Sequence, residues 1–581
     1  MENSSVEFQS VLRAVRRAKN DSEMFAALLI VTKLVKAENL SLEDKKELFK
    51  AIGIMFPIRL ISSANKDDDS QKLFVSIGAS VLSLFVTDES FAQSPEIILA
   101  VSKLVTAFCQ VLDDSHSDRQ IVISDFLHIM CSVSACVDGS RALLRSTAVD
   151  ILCKYYESES DHSQRDLACL VLINLARLCP DLFWAYKGSC INDFLSTISS
   201  NFVAVNTELK FKLATQITDL FSTMPSDVSA VYANQPWMGN AVNALADILR
   251  SRISSKERNP ALMLCHCLTE AFGFGWTTKG ADVQGGRRRF PVILTSVSCI
   301  EIGMISYEDT QNDALVHEHD AEQLQLLLAC FNILEKACAC IADFDQEEGN
   351  SSPVFTFEDI QSLDASLKDA VNAVVGIVDK LLSRDDANDL LLACARFLGS
   401  WLNVELFAAS EVGVRIAPTV VSAFRLSLES NPTLATRFAI PALMNYVGCD
   451  KVQACLLRIG IADTLCDLAV SVCLSREDKA LALQCLIGFV VEQQVENTGL
   501  TDKLTVLIDV IVAKQSENDV VINYYFTVLI LVLWNRADKK TGDPHSVRFF
   551  QFACTLVHGT HSLNKDRLEV AKTYVFISLH W

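Results

Sequence analysis

Apolar residues recur along this chain with the period of an α-helix. Phe25, Leu28, Leu29, Thr32 and Val35 fall at i, i+3, i+4, i+7 and i+10 and share one helical face. Met24, Ala27, Val31 and Leu34 form a second apolar stripe, so this helix is expected to be sandwiched between neighbours. Asn20 with Glu23, and Ser41 with Asp44, have capping-box spacing. The first side chain can accept from the amide three residues on, while the acid favours the positive helix end. Pro57 is expected to close the helix over Leu42–Phe56. The same grammar predicts helices over 93–112, 119–137, 140–156, 163–179, 206–223, 237–253, 259–272, 290–304, 321–342, 358–383 and 387–406. Further on it predicts 432–446, 460–473, 476–494, 500–514, 517–535 and 565–580. No convincing strand pair emerges; the Val-rich piece Val371–Val378 sits inside a longer helical run.

Short polar breaks make consecutive helices antiparallel neighbours over the whole chain. The predicted fold class is therefore all-α: an armadillo/HEAT-like α-solenoid of stacked antiparallel helix pairs. At a period of about 40–47 residues, 581 residues hold roughly 12–14 units. No strict consensus aligns from repeat to repeat, and a non-repeating helical protein is the alternative. Three interruptions are longer: the acidic turn 66–70, the Gly-rich loop 273–289 that ends in three arginines, and the acidic stretch 343–353. The last predicts an acidic linker over 343–356 that acts as a hinge between an N-terminal arm, 1–342, and a C-terminal arm, 357–581.

Composition narrows the function. Half the residues are hydrophobic, with 12 Pro and 21 Gly, which excludes intrinsic disorder and argues against a β-sandwich. Lys and Arg total 51 against 71 Asp and Glu, a net charge of −20, and phosphate neutralisation needs the opposite balance, so no nucleic acid is expected as partner. The first 20 residues contain no apolar core of a secretory signal, so the 20 cysteines are expected as reduced thiols, mostly small core residues of a cytoplasmic protein. The best membrane candidate, Val520–Trp534, has 15 residues where a span needs about 20, and with Leu73–Val86 it reads as a buried helix.

Candidate chemistry fails motif by motif. Lys279 precedes Gly280 and no Gly-Lys-Ser/Thr follows, so the loop is no phosphate cradle. Position 321 is Ala, so His317-Glu318-His319-Asp320 lacks the spacing that puts two imidazoles on one helical face. Asp343, Asp345 and Glu347 imitate the start of a calcium loop, but the turn glycine is displaced to 349 and Val354 stands at the closing position. No enzyme, cofactor, metal site or small-molecule substrate is predicted. Two basic features remain. Arg13, Arg16, Arg17 and Lys19 crowd one side of the first helix, opposite Phe8, Val11, Leu12 and Val15. They form either a polar cap on the first repeat or an anionic-lipid contact worth about 1 kcal/mol per basic residue. In the Gly-rich loop, Trp276, Arg287, Arg288 and Arg289 are partner-binding candidates; the arginines pair with the acidic linker or take an acidic partner or phosphate.

Several segments carry a family resemblance. Ala18–Lys36 reads AKNDSEMFAALLIVTKLVK and is followed by Phe56-Pro57-Ile58-Arg59-Leu60-Ile61. Ser254–Leu262 reads SSKERNPAL, Phe272–Trp276 leads to an apolar helix ending in Cys299-Ile300-Glu301, and Arg396–Leu402 reads RFLGSWL. Collinear from about residue 12 to about 495, these blocks closely resemble the neurochondrin family. The resemblance implies an armadillo-like cytoplasmic protein of neurons, associated with neurite outgrowth. It implies negative regulation of calmodulin-dependent kinase phosphorylation and binding of cytoplasmic tails of G-protein-coupled receptors such as metabotropic glutamate receptors. It also implies association with endosomal and dendritic membranes, and transfers no catalytic residue. Two departures stand out. Vertebrate members carry N-terminal cysteines suited to palmitoylation, whereas the first cysteine here is Cys109. Members also usually continue further at the C-terminus, so the apolar end Val575–Trp581 reads as a truncated or alternative terminus.

Overall fold

The computed structural model describes residues 2–492, apart from 38–40, 63–68, 114–118, 160, 187–189, 280–288, 313–320, 344–353, 384–388, 405–410, 446–449 and 472, together with residues 525, 528 and 529. Among the described residues there are 26 α-helices, one 3-10 turn and no strand. The helix expected over 321–342 is Ala321–Ala342, and that over 358–383 is Phe357–Ser383. The helices expected at 500–514, 517–535 and 565–580 lie outside the described residues, as does most of Val520–Trp534.

Both capping boxes form. The Glu23 amide donates to Asn20 Oδ1 at 2.9 Å, and the Asp44 amide donates to Ser41 Oγ at 3.2 Å. Pro57 does not end its helix. The helix Leu42–Ile52 ends at Gly53, whose φ of 72° suits a residue without Cβ and whose N–H reaches Phe49 O. Pro57 instead sits in the first turn of Met55–Ser62, where a proline costs no intrahelical hydrogen bond. The single helix expected over 140–156 is two, Val137–Leu144 and Ala148–Ser158. Ser146 makes the break: its Oγ donates to Leu143 O and accepts from the Ala148 amide. The helix expected from 259 starts earlier, at Ser255, because Ser254 and Glu257 form a capping box that outweighs Pro260 in the second turn.

The chain divides into two compact units, Met1–Asp282 and Val283–Trp581. The division falls in the Gly-rich loop rather than at 343–356. Packing explains the difference: Phe290–Asn312 lies against Phe357–Ser383 across the acidic stretch, which therefore connects parts of one unit. In the first unit, helices pack in pairs, such as Met55–Ser62 on Asp69–Phe85 and Pro95–Leu112 on Arg119–Ser134. The second members stack in one row: Asp21–Ala37, Asp69–Phe85, Arg119–Ser134, His162–Leu178, Leu209–Phe221 and Ser255–Phe272. In the second unit, Ala321–Ala342, Asp389–Leu402, Pro432–Asn445 and Arg476–Glu492 stack in the same way.

The repeat is written in the side-chain hydrogen bonds. Lys45 to Thr87, Asn174 to Ser134, Trp184 to Thr223, Asn240 to Ser200, Arg425 to Thr464 and Arg437 to Asp478 join residues 39–42 apart. Each ties one helix pair to the next at the period expected of the sequence. The separation rises to 61 for Arg396 with Glu335 and to 70 for Arg289 with Asp359, where longer connections intervene.

In the first unit Phe126, Phe183, Phe194 and Phe202 are almost fully buried between the helices, and in the second unit Phe331, Phe397 and Trp401 are. Of the 18 described cysteines, none is in a disulfide and ten are buried. Three helices are long and apolar enough to cross a membrane by length and composition, Pro95–Leu112, Phe290–Tyr307 and Ala321–Ala342, all expected from the sequence as helices but none as a membrane candidate. In the last two, most of the apolar window is covered by neighbouring helices.

Candidate functional site

A concavity opens on the stacked row of the first unit, where Asp21–Ala37, Asp69–Phe85 and Arg119–Ser134 lie side by side. It is a groove of about 310 Å³. Helical spacing builds it. In Arg119–Ser134 the core takes Val122, Ile123, Phe126, Leu127, Ile129, Met130 and Val133. That leaves Ile121, Asp125, His128 and Ser132, at i, i+4, i+7 and i+11, as the stripe facing the groove. Ser80, Ser83 and Thr87 repeat the pattern at i, i+3 and i+7 on the adjacent helix and its end. Val31, Val81 and Leu84, all buried, supply the apolar floor.

Asp125 is the charged centre of this groove. Its Oδ2 accepts from Ser80 Oγ at 2.5 Å and its Oδ1 from Ser83 Oγ at 2.8 Å. These bonds lock neighbouring helices in register and hold the carboxylate in one orientation. At the rim, Lys45 Nζ donates to Thr87 Oγ1 at 3.2 Å. Further along the row, Asp166 accepts from Lys212 and from Gln216 Nε2, the latter at 2.9 Å, and Arg165 stacks 4.7 Å over the Tyr156 ring. The exposed face of the row is thus a ladder of polar side chains on an apolar base, suited to holding a ligand by many modest contacts.

Burial pushes the thiols of Cys169, Cys338, Cys394 and Cys485 well above the ordinary range. Cys267 is pushed up to about 11 by burial and by Asp219 and Glu270. A hydrogen bond with Cys153 lowers Cys190, at the expense of Cys153, which rises; both side chains are buried. Among the described residues no three His, Cys, Asp or Glu side chains gather to hold a metal ion. Cys265 is buried while Cys267 is half-buried, so the two thiols diverge; His317–Asp320 lies outside the described residues.

The sequence-predicted site residues do not converge. Trp276 is a core residue, 2 % exposed, in the 3-10 turn Phe274–Thr278, and its Nε1 donates to Thr269 Oγ1 at 3.1 Å. It is withdrawn as a docking residue, because a buried indole with a bound N–H has no surface to offer. Arg289 Nη1 pairs with Asp359 Oδ2 at 3.0 Å, and that carboxylate also accepts from the Thr356 amide at the head of Phe357–Ser383. The arginine therefore clasps a helix start just beyond the acidic stretch. Arg287 and Arg288 lie outside the described residues. Arg13, Arg16, Arg17 and Lys19 are exposed, opposite the buried Phe8, Val11, Leu12 and Val15; Arg16 approaches Glu47 at 4.0 Å and Arg13 Nε donates to Gln9 O. The groove residues were not singled out from the sequence, although both stripes have a legible spacing of three and four.

Comparison with known proteins agrees with this architecture. A family model described as Neurochondrin matches residues 2–572. Neurochondrin of Xenopus laevis is 24% identical over 495 residues, covering 80% of this chain and 66% of that protein. The neurochondrin homolog of Drosophila melanogaster is 26% identical over 428 residues, 72% of this chain and 56% of that protein. The chain thus spans roughly three-fifths of the length of these curated relatives. A solved structure named for a phosphorylation switch controlling the interaction between cadherin and beta-catenin aligns with a TM-score of 0.53 at 13% identity, covering 99% of this chain and 94% of that one. At that identity the likeness speaks for the fold alone: an armadillo/HEAT-like α-solenoid.

Proposed function

Because the chain belongs to the neurochondrin family, we propose that it is a non-enzymatic interaction scaffold that holds short segments of partner proteins against its stacked helical row. The observation that carries this reading is the groove around Asp125, where oriented polar groups surround an apolar floor. Family membership supports the finer reading. The partners are cytoplasmic tails of G-protein-coupled receptors and signalling proteins. The roles are in neurite outgrowth, neuronal signalling and regulation of calmodulin-dependent kinase phosphorylation. The place of action is the cytoplasm, in neuronal projections and peripherally on endosomal membranes. The test is titration of the chain with labelled cytoplasmic-tail peptides of metabotropic glutamate receptors. Saturable binding without chemical change of the peptide is expected; absence of saturable binding would contradict it.

A second reading has its own observation. The exposed Arg13, Arg16, Arg17 and Lys19 on a helix whose other side is buried suit peripheral contact with anionic lipid. Co-sedimentation with phosphatidylserine-containing liposomes tests it. Binding is expected to vanish in high salt and on deletion of residues 1–20, and binding that survives either treatment would sink this version.

A further inference from the structure

The geometry points to a specific occupant for the groove: an extended basic peptide segment that sets a lysine or arginine against Asp125. This rests on the scaffold reading above and names the chemistry of its partner. A carboxylate has about four acceptor sites. Asp125 uses two of them on Ser80 and Ser83, which orient the carboxylate and bring no counter-charge. Among the described residues no lysine or arginine lines the groove; Lys45 reaches only its rim, at Thr87. Beside the carboxylate lie Val31, Val81 and Leu84, with Ile121 half-exposed at the edge. An ammonium or guanidinium would fill the open acceptor sites, and an apolar neighbour on the same peptide would cover the floor. The volume of about 310 Å³ lies at the small end of ligand pockets, which run about 300–1,000 Å³, and admits side chains rather than a folded domain. The net charge of −20 draws such a segment in from a distance and repels an acidic one.

The test uses the full chain and fluorescein-labelled dodecapeptides in which Leu alternates with Lys, Gln or Glu. Fluorescence anisotropy should show the Lys peptide binding, and the Glu peptide binding at least tenfold more weakly. Asp125→Asn should weaken the Lys peptide at least tenfold, while Asp227→Asn, an exposed acid in a turn outside the groove, should leave it unchanged. Ile121→Lys and Ile121→Glu, both at an exposed edge position, should respectively weaken and strengthen it with the circular-dichroism melting curve unmoved. If Asp125→Asn and Ile121→Lys both leave the Lys peptide bound as before, or if no peptide binds, the basic-segment inference is overturned. If Gln and Lys peptides bind equally and block each other, the inference is likewise overturned and the scaffold reading stands. Loss of receptor-tail binding as well would bring down both.

Discussion

Arg437 Nε donates to Asp478 Oδ1 at 2.8 Å, one repeat further along the chain. The same carboxylate accepts from Ser475 Oγ at 2.7 Å, while its own amide donates back to that hydroxyl at 3.2 Å. One buried acid therefore caps the helix Arg476–Glu492 and clasps the preceding helix Pro432–Asn445. Burial raises its pKa, but the hydrogen bonds from Ser475 and Arg437, with the Arg437 charge, outweigh that and hold it below the ordinary carboxylate value.

The pH dependence follows from that direction. The unfolded chain binds this proton near pH ~3.9, so the clasp contributes fully above that value and is lost as pH falls through the lower folded pKa. Hydrogen-exchange protection of Pro432–Asn445 and Arg476–Glu492 should persist down to about pH 4 and fall below it. Asp478→Ala should cost about 1–3 kcal/mol locally and remove that acid step. An acid step unchanged in the variant would contradict the assignment.

Trp276 is structural. Trp276→Ala should destabilise the first unit by about 3–5 kcal/mol in urea unfolding followed by circular dichroism, with Trp276→Phe costing less. Near-wild-type stability of the alanine variant would put the indole back on the surface.

Gly139 is packed against the end of the preceding helix. A Cβ there would lie 2.1 Å from Val133 O, which is backbone and cannot step aside. Gly139→Ala should cost about 1–3 kcal/mol and open the 135–137 turn to limited proteolysis. Unaltered cleavage would show that the turn is looser than described.

Arg289 and Asp359 should behave as an intramolecular pair. Either charge reversal alone, Arg289→Asp or Asp359→Arg, should loosen the start of Phe357–Ser383, and the double swap should recover about 1 kcal/mol or less of coupling. A double-mutant cycle by thermal denaturation measures it. Zero coupling would free Arg289 for an outside partner.

Much of the fold was legible because helical period and capping are local. Ala321–Ala342 could be read to the residue, and both Asn20 and Ser41 cap as their spacing implies. Errors arose where a local rule has two outcomes. Pro57 can end a helix or begin one, and only the positive φ of Gly53 decides. The site was less legible for a different reason. Asp125 meets Ser80 and Ser83 only through the register of helices more than 40 residues apart, which degenerate repeats do not display in sequence. Trp276 looked available because it follows glycines, yet those glycines lead into a 3-10 turn that buries it.

The central claim is that the stacked row around Asp125 is where partners dock. Hydrogen-exchange mass spectrometry of the full chain, with and without saturating receptor-tail peptide, tests it most directly. The account predicts added protection confined to Asp69–Phe85, Arg119–Ser134 and the adjoining part of Asp21–Ala37, abolished by Ile121→Lys. Protection appearing elsewhere, with these three helices unchanged, would contradict it.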